Sequence, residues 1–179
     1  MIDSVLSYSV VNATELILET VDLNMVVEGI QNDLELLIVQ KDAKILYSNL
    51  PKIKAVPALI YQLFYNLINN GLKFSKDDVP SQIKISSKQI SSAELSNIPG
   101  IPKAKNYTEI IFEDNGIGFN QEYVHTMFNV FSRLNSREKY EGTGLGLALC
   151  KKIVHRHGGF IYAEGQEGVG SVFHILMPC

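Results

Sequence analysis

The stretch YNLINNGLKFS, residues 65–75, lies at the end of a helix predicted from about Pro57 to Lys73. Within it, Asn66, Asn70 and Lys73 are spaced i, i+4 and i+7, so they fall within about 60° of one another on a helical wheel. Two carboxamides and an ammonium on one helix edge suit a metal–phosphate ligand, because an amide oxygen can complete a hydrated Mg²⁺ and the lysine offsets phosphate charge. A solvated polar helix face is the alternative for this stretch taken alone.

A second polar motif, EDNGIGF at residues 113–119, comes at the end of a strand predicted over residues 107–114. Gly116 and Gly118 would let the backbone approach a ligand closely. Asp114, at the strand exit, could accept a hydrogen bond from an exocyclic amine such as that of adenine. The alternative is a common Asp-Asn-Gly turn.

A third motif, EGTGLGLAL at residues 141–149, has three glycines at alternate positions before a helix predicted over residues 145–157. Backbone N–H groups at such a helix start can cradle phosphates. The spacing differs from both the GxGxxG and the GxxxxGK[ST] patterns, so neither a dinucleotide-binding turn nor a P-loop is indicated. A flexible glycine linker is the alternative.

The rest of the chain mixes helices and strands without strict alternation, which favours an α+β class. Asn24 is predicted to cap a helix over residues 25–41, and a short helix is predicted over 120–128. Further strands are predicted over residues 16–23, 44–48, 82–90, 160–164 and 171–177. Residues 91–106, with two prolines and several serines, are predicted to form a loop.

Composition narrows the function classes. The chain has 179 residues, of which 46% are hydrophobic and 20% charged, and its net charge is −3. These values favour one soluble globular domain and argue against a disordered chain or a basic nucleic-acid-binding surface. Cys150 and Cys179 do not make a disulfide framework, and no apolar run reaches the ~18 residues of a membrane span. We therefore expect a cytoplasmic domain, whose parent protein could still be anchored in a membrane.

In this order, the motifs resemble those of the ATP-binding catalytic domain of sensor histidine kinases, in the GHKL ATPase superfamily. The resemblance covers about residues 16–178. NLINNGLKFS resembles the N box, DNGIGF the G1 box, MFNVFSR (127–133) the F box, GTGLGLALCKKIVHRHGG (142–159) the G2 box with its helix, and GVGSVFHILMP (168–178) the closing strand.

The resemblance implies an α/β (α+β) two-layer sandwich of the Bergerat type. In this fold a mixed β-sheet is packed on one face by helices, and ATP lies between the helices and a flexible lid. Residues 16–179 would be the ATP-binding catalytic kinase domain. Residues 1–15 would be a remnant of the dimerisation and phosphoacceptor helix with its linker.

The resemblance also implies roles at the phosphate side of the site. Asn70 would be the Mg²⁺ ligand, and Asn66 would support the metal or phosphate side. Lys73 would contact phosphate. Arg133 matches an F-box arginine that can reach the γ-phosphate, a role similar to that of arginines in other phosphoryl transfers.

At the adenine side, the resemblance implies that Phe74 lies against the base and that Asp114 binds its amino group. Ser171 would help through water. The remaining implied ATP contacts come from glycine-rich backbone and its neighbours: Gly116, Gly118, Gly142, Thr143, Gly144, Leu145 and Gly146.

The implied function is that of a protein-histidine kinase in a two-component phosphorelay, with ATP and Mg²⁺. The γ-phosphoryl group would pass to a histidine on a phosphoacceptor helix and then to a response-regulator aspartate. The four histidines, His125, His155, His157 and His174, are not followed by an acidic residue. We therefore expect them to be structural or surface residues, and the chain not to autophosphorylate alone.

Two other functions differ from this one in testable ways. Hydrolytic ATPases of the superfamily carry a glutamate base one turn before the metal asparagine, where this chain has Asn66, and a carboxamide accepts no proton at neutral pH. A non-catalytic nucleotide-binding or interaction module stays open. The chain also departs from the family at Val56, where an acidic residue often precedes the proline; we expect no effect on ATP contacts.

Overall fold

A five-stranded mixed sheet forms one layer of the molecule. The computed structural model describes residues 16–91, 94, 106–132 and 143–179. The strands of this part are β1 (Glu19–Asp22), β2 (Lys44–Tyr47), β3 (Lys52–Ala55), β4 (Gln82–Ile90), β5 (Tyr107–Asp114), β6 (Phe160–Gln166) and β7 (Gly170–Pro178). The large sheet has the order β2-β4-β5-β7-β6, with β2 and β4 parallel and the other neighbours antiparallel; β1 and β3 pair separately.

Helices form the second layer. They are α1 (Leu23–Asp33), α2 (Glu35–Gln40), α3 (Pro57–Lys73), α4 (Val124–Met127), which follows a 3-10 turn at Gln121–Tyr123, and α5 (Gly146–Arg156). Helix α3 begins at a proline, which suits the first helical position because the missing N–H would be unpaired there. Within the described ranges, no helix combines the length and apolarity that a bilayer crossing requires.

The two layers meet through the apolar face of α3. Phe64 packs edge-on against Phe112 of β5, with ring centroids 4.9 Å apart. Farther along the helix, a Cβ on Gly71 would lie 2.8 Å from Ile83 Cδ1, so glycine lets α3 approach β4 closely. Helix α5 packs beside α3 through its own buried face. The predicted sandwich, with helices on a mixed sheet, is confirmed.

The prediction for residues 24–41 is wrong in two respects. Asp22, not Asn24, caps α1, because its Oδ1 accepts the Asn24 N–H at 3.0 Å. The Asn24 side chain is instead bonded to both backbone groups of Leu50, at 2.8 and 3.1 Å. The single helix is in fact two, because the backbone leaves the helical range at Leu34 (φ −101°, ψ 12°).

Strand β3 was not predicted from the sequence. It has only four residues, KIKA, and although exposed lysines alternate with buried Ile53 and Ala55, a run this short gives a weak strand signal. By contrast, the bounds predicted for α3, β4 and β5 are confirmed. The expected remnant segment, residues 1–15, lies outside the described residues, as does most of the predicted loop over 91–106.

Candidate functional site

The polar edge of α3 carries three of the predicted residues, all partly exposed: Asn66, Asn70 and Lys73. Lys73 Nζ lies 4.7 Å from the ring centroid of Phe74, a cation–π distance that holds the ammonium at the helix end. The Phe74 N–H in turn donates to Asn70 O at 2.9 Å and ends the helix. Because one helix spans Pro57–Lys73, the prediction that these three residues share one helix edge is confirmed.

Asn66 differs from its neighbours because its amide nitrogen is buried. Among the described residues, Nδ2 has no conventional hydrogen-bond partner. A buried donor without an acceptor is uncommon, because it loses its bond to water and gains nothing in exchange.

Asp114 and Ser171 face each other at the ends of two strands. They are register partners in the β5–β7 pair, and the Asp114 carboxylate accepts the Gly116 N–H at 2.9 Å. Surrounding protein desolvates this carboxylate and raises its pKa, although the side chain stays partly accessible; the bonds from Gly116 and Ser171 and the charge of Lys76 oppose that rise. The structure therefore brings the predicted base-binding acceptor and Ser171 together.

The loop after Asp114 is both a turn and a close-approach site. Asn115 fastens it to the start of β4: its Oδ1 accepts from Gln82 N at 2.8 Å and its Nδ2 donates to Pro80 O at 3.0 Å. At Gly116, a Cβ would lie 2.5 Å from Phe74 O and 2.8 Å from Asp114 Oδ1. Any larger residue there would push the end of α3 away from the carboxylate.

The turn between β6 and β7 supports this loop from the other side. The Gly168 N–H donates to Ile117 O at 2.8 Å. A Cβ on Gly118, whose φ is +64°, would lie 2.0 Å from Gln166 O, and a Cβ on Gly170 would lie 2.0 Å from Asp114 O. Gly118 was predicted from the sequence as a site residue, whereas Gly170, whose constraint comes from the Asp114 carbonyl of another strand, was not.

The glycine-rich segment before α5 is described from Thr143 onward. Leu145, only 2% exposed, precedes the helix as its N-terminal cap residue. Gly144 has a φ of +71°, and a Cβ there would lie 2.8 Å from Ser132 O. At Gly146, a Cβ would meet nothing within 4 Å among the described residues, so that part of the structure leaves the helix start open. The predicted residues Arg133 and Gly142 lie outside the described residues.

Two histidines have the structural roles predicted for them. His157 Nδ1 is 2.8 Å from Ile153 O, and its Nε2 accepts from Val56 N at 3.1 Å. Burial lowers the pKa of His157, which suits a neutral ring that donates on one side and accepts on the other. This bond also explains the departure at Val56: the start of α3, which has no side-chain cap, is held by the end of α5.

His174 lies on another part of the sheet, 2.7 Å from the buried Glu109 and stacked on Tyr162 with ring centroids 4.4 Å apart. Glu109 also accepts from the Tyr162 hydroxyl at 3.1 Å and pairs with Lys88 at 3.2 Å. The nearby donors and positive charges outweigh the effect of burial and lower the pKa of Glu109. These contacts account for His174 as a structural residue.

Comparisons with known proteins agree with this geometry. Cyanobacterial phytochrome A of Nostoc sp. (strain PCC 7120 / SAG 25.82 / UTEX 2576) is 33% identical over 178 residues, which cover 99% of this chain and 21% of the phytochrome. The chain thus spans about a fifth of that relative's length.

Two solved structures share the fold. Full-length ShkA in complex with AMPPNP superposes with a TM-score of 0.76 at 21% identity, over 99% of this chain and 35% of that one. Histidine kinase ThkA in complex with response regulator TrrA gives 0.69 at 21% identity, over 99% and 46%. The family model for histidine kinase-, DNA gyrase B- and HSP90-like ATPases matches residues 55–179, and the chain belongs to this family.

Proposed function

We propose that this chain is the ATP-binding catalytic domain of a two-component sensor histidine kinase. The observation that carries the proposal is the partly exposed Asp114 carboxylate at the end of β5, which accepts the Gly116 N–H at 2.9 Å beside its register partner Ser171, while Gly71 of α3 packs next to it. A strand end that presents a carboxylate next to a helix with two asparagines and a lysine supports nucleotide binding.

At the base end of the site (Asp114, Gly116, Gly118 and Ser171), Asp114 would accept the exocyclic amine of adenine. The space beside Gly116, which a Cβ would fill, lets the end of α3 close against this carboxylate. Phe74 follows directly at the end of α3 and would lie against the base. A carboxylate acceptor favours adenine over a base that presents a carbonyl oxygen at the same position.

At the phosphate end (Asn66, Asn70, Lys73, and Gly144–Gly146), the donors suit a triphosphate. The open N-terminus of α5 at Gly146 offers backbone N–H groups and the positive end of the helix dipole. Lys73 adds a full positive charge, and we propose that Thr143 and Arg133 add further contacts. Mg²⁺, held by Asn70 and the phosphates, would neutralise charge that develops during transfer.

We propose that the γ-phosphoryl group passes to a histidine on a phosphoacceptor helix of the parent protein, and from there to a response-regulator aspartate in the cytoplasm. Asn66 supports transfer over hydrolysis, because an amide cannot remove a proton from water. ShkA in complex with AMPPNP and ThkA in complex with a response regulator lend support to the ATP and partner proposals.

Calorimetric titration with an ATP analogue tests the binding step, on the wild type, Asp114→Asn and Asn70→Ala. We expect Asp114→Asn to weaken binding about tenfold or more, since hydrogen bonds to charged groups contribute roughly 1.5–3 kcal/mol. Asn70→Ala should remove the dependence on Mg²⁺. Glu113→Gln is the matched control, because this neighbouring carboxylate pairs with the exposed Lys84 instead.

Transfer itself is tested by mixing the chain with a separately prepared dimerisation and phosphoacceptor domain and ATP. Labelling of the phosphoacceptor histidine is the expected result. Binding of ATP without labelling, despite proven docking of the two domains, would favour the alternative of a non-catalytic nucleotide-binding or interaction module.

A further inference from the structure

The residue that follows Asp114 continues the pairing with β4 by its side chain. Strands β4 and β5 pair antiparallel, and Ile83 with Asp114 is their last pair at this end. The Asn115 N–H still donates to Gln82 O at 3.2 Å. In a regular antiparallel ladder, two residues that share one such bond also exchange the reciprocal one, which here would run from Gln82 N to Asn115 O.

The Asn115 carboxamide supplies the acceptor that a continued strand would take from its backbone. Its Oδ1 accepts the Gln82 N–H at 2.8 Å, and its Nδ2 donates to Pro80 O at 3.0 Å. The main-chain carbonyl of Asn115 is thereby released from the ladder. The chain can consequently leave the sheet directly after Asp114, which is the residue that the proposed function places at the strand exit.

The released peptide unit connects Asn115 to the carboxylate before it. In a trans peptide the C=O and the N–H point in opposite directions, so an Asn115 carbonyl aimed at β4 would turn the Gly116 N–H away. Instead, the Gly116 N–H donates to Asp114 Oδ1 at 2.9 Å, as in an Asx turn. The following N–H, that of Ile117, donates to Phe74 O at 2.9 Å and joins the loop to the end of α3.

We propose that Asn115 is a positioning residue for Asp114. By holding the peptide unit between residues 115 and 116 in its turned orientation, Asn115 keeps the Gly116 N–H on Asp114 Oδ1 and so fixes the direction of the carboxylate that would bind adenine. The inference rests on the proposed function for this consequence but not for its geometry. Asn115 acts through Asp114 and needs no contact of its own with the nucleotide.

A second asparagine makes the same kind of contact at the start of α1, on segments that carry none of the proposed site residues. Asn24 Nδ2 donates to Leu50 O at 2.8 Å, and its Oδ1 accepts the Leu50 N–H at 3.1 Å. Each carboxamide thus binds one donor and one acceptor of distant backbone. Asn24→Ala is therefore the matched control for Asn115→Ala, because it removes equivalent hydrogen bonds elsewhere.

The test uses the whole chain with Asn115→Ala and with the milder Asn115→Asp, which keeps an acceptor for the Gln82 N–H but cannot donate to Pro80 O. The ¹H shift and the hydrogen-exchange rate of the Gly116 amide are recorded by NMR in the free protein. Calorimetry then measures the affinity for AMPPNP of each variant, alone and combined with Asp114→Asn.

We expect Asn115→Ala to shift the Gly116 amide signal, to speed its exchange, and to weaken AMPPNP binding about three- to tenfold, the range of one modest hydrogen bond. Asn115→Asp should cause smaller changes in the same direction, and Asn24→Ala should leave both the signal and the affinity unchanged. In the Asp114→Asn background, Asn115→Ala should cost less than about a further twofold, because the two residues act through one contact.

An unchanged Gly116 amide in a folded Asn115→Ala variant would overturn the proposal, as would an equal loss of affinity in Asn24→Ala or a full additive loss in the Asp114→Asn background. If Asn115→Ala does not fold, Asn115→Asp decides by the same amide signal.

The two proposals can fail separately. If the wild type binds no nucleotide, the proposed function fails, while the Gly116 amide still decides whether Asn115 orients the turn. If the wild type binds AMPPNP and both Asn115 variants match its affinity, only the positioning role is lost.

Discussion

At the base end of the site, the groups proposed to read the nucleotide are strand and loop atoms fixed by their neighbours, whereas at the phosphate end they are side chains and glycines on two helices. The Asp114 carboxylate already accepts a hydrogen bond from Gly116 and lies beside its register partner Ser171. Within the described part of the chain, by contrast, the buried nitrogen of Asn66 has no hydrogen-bond partner and the helix start at Gly146 is open. Under the proposed function, folding largely builds the adenine end of the site, whereas the phosphate end is left for the ligand to complete.

The largest expected effect comes from breaking the base end at Gly170. Gly170→Ala would place a Cβ 2.0 Å from Asp114 O, a contact with backbone that no side-chain rotation can relieve. Strands β5 and β7 must then separate where Asp114 meets Ser171. We expect a loss of about 3 kcal/mol or more in the free energy of unfolding, at the upper end for overpacked sites.

Urea unfolding measures the stability of Gly170→Ala, and calorimetry measures its nucleotide affinity. Both should fall together, because one backbone shift moves both the sheet and the carboxylate. A variant with wild-type stability would mean that the turn between β6 and β7 does not support the Asp114 loop.

The variant Asp114→Asn, also at the base end, is expected to change nucleotide affinity and stability in different directions. Burial raises the pKa of Asp114, so the ionised carboxylate is less favourable in the folded protein than in the unfolded chain. This cost develops as the pH rises from the unfolded pKa near 3.8 through the folded one. Near pH 7 the neutral asparagine avoids it.

We therefore expect the free protein to be as stable with Asp114→Asn as the wild type, or more stable, although nucleotide binding drops. Thermal unfolding without nucleotide, at pH 7 and at pH 3.5, provides the measurement. A clear loss of stability at pH 7 would show that the bonds from Ser171 and Gly116 outweigh the cost of desolvation.

Gly146 sharpens the comparison at the phosphate end. A methyl group there meets nothing within 4 Å in the part of the chain that the structure describes. Alanine is about 1 kcal/mol better than glycine inside a helix, which is an upper bound for Gly146 because it is the first helical residue. We expect Gly146→Ala to raise the free energy of unfolding by up to about 1 kcal/mol while weakening ATP-analogue binding severalfold, because the methyl group would crowd the proposed phosphate position. Unchanged affinity in this variant would move the phosphates away from the start of α5.

The predictable part of the fold follows from strong local patterns. Helix α3 was predicted within its observed bounds because its proline start and apolar spacing agree, and β4 and β5 alternate in the same clear way. Strand β3 and the break at Leu34 were missed because tertiary contacts decide them: the four-residue strand exists through its pairing with β1.

The site residues show the same division. Asp114 could be found from the sequence because a carboxylate at a strand exit before glycines carries its own signal. Gly170 could not be given its role, because the Asp114 carbonyl that excludes a side chain there comes from a strand 56 positions earlier in the chain. Similarly, no local pattern links His157 to Val56, since the pair forms only when α5 packs beside α3.

The smallest expected effect concerns the hydrogen bond between Val56 and His157, which joins the start of α3 to the end of α5. The pKa of His157 is lowered by burial and by the nearby charge of Arg156, against the opposite effect of Ile153 O. The His157 ring therefore binds a proton less tightly in the folded protein than in the unfolded chain. The stabilisation by the neutral ring is complete above the unfolded pKa near 6.5, and it is lost as the pH falls from there through the lower folded pKa.

Protonation also removes the Nε2 lone pair that accepts the Val56 N–H. The wild type therefore loses this hydrogen bond at acid pH, whereas His157→Ala lacks it at every pH. The difference in unfolding free energy between the two proteins should therefore be largest at pH 7.5 and shrink toward pH 5. Urea titrations of both at several pH values between these limits provide the measurement. A difference that stays constant would mean that the imidazole contributes by packing alone, and that the join between α3 and α5 does not depend on its acceptor nitrogen.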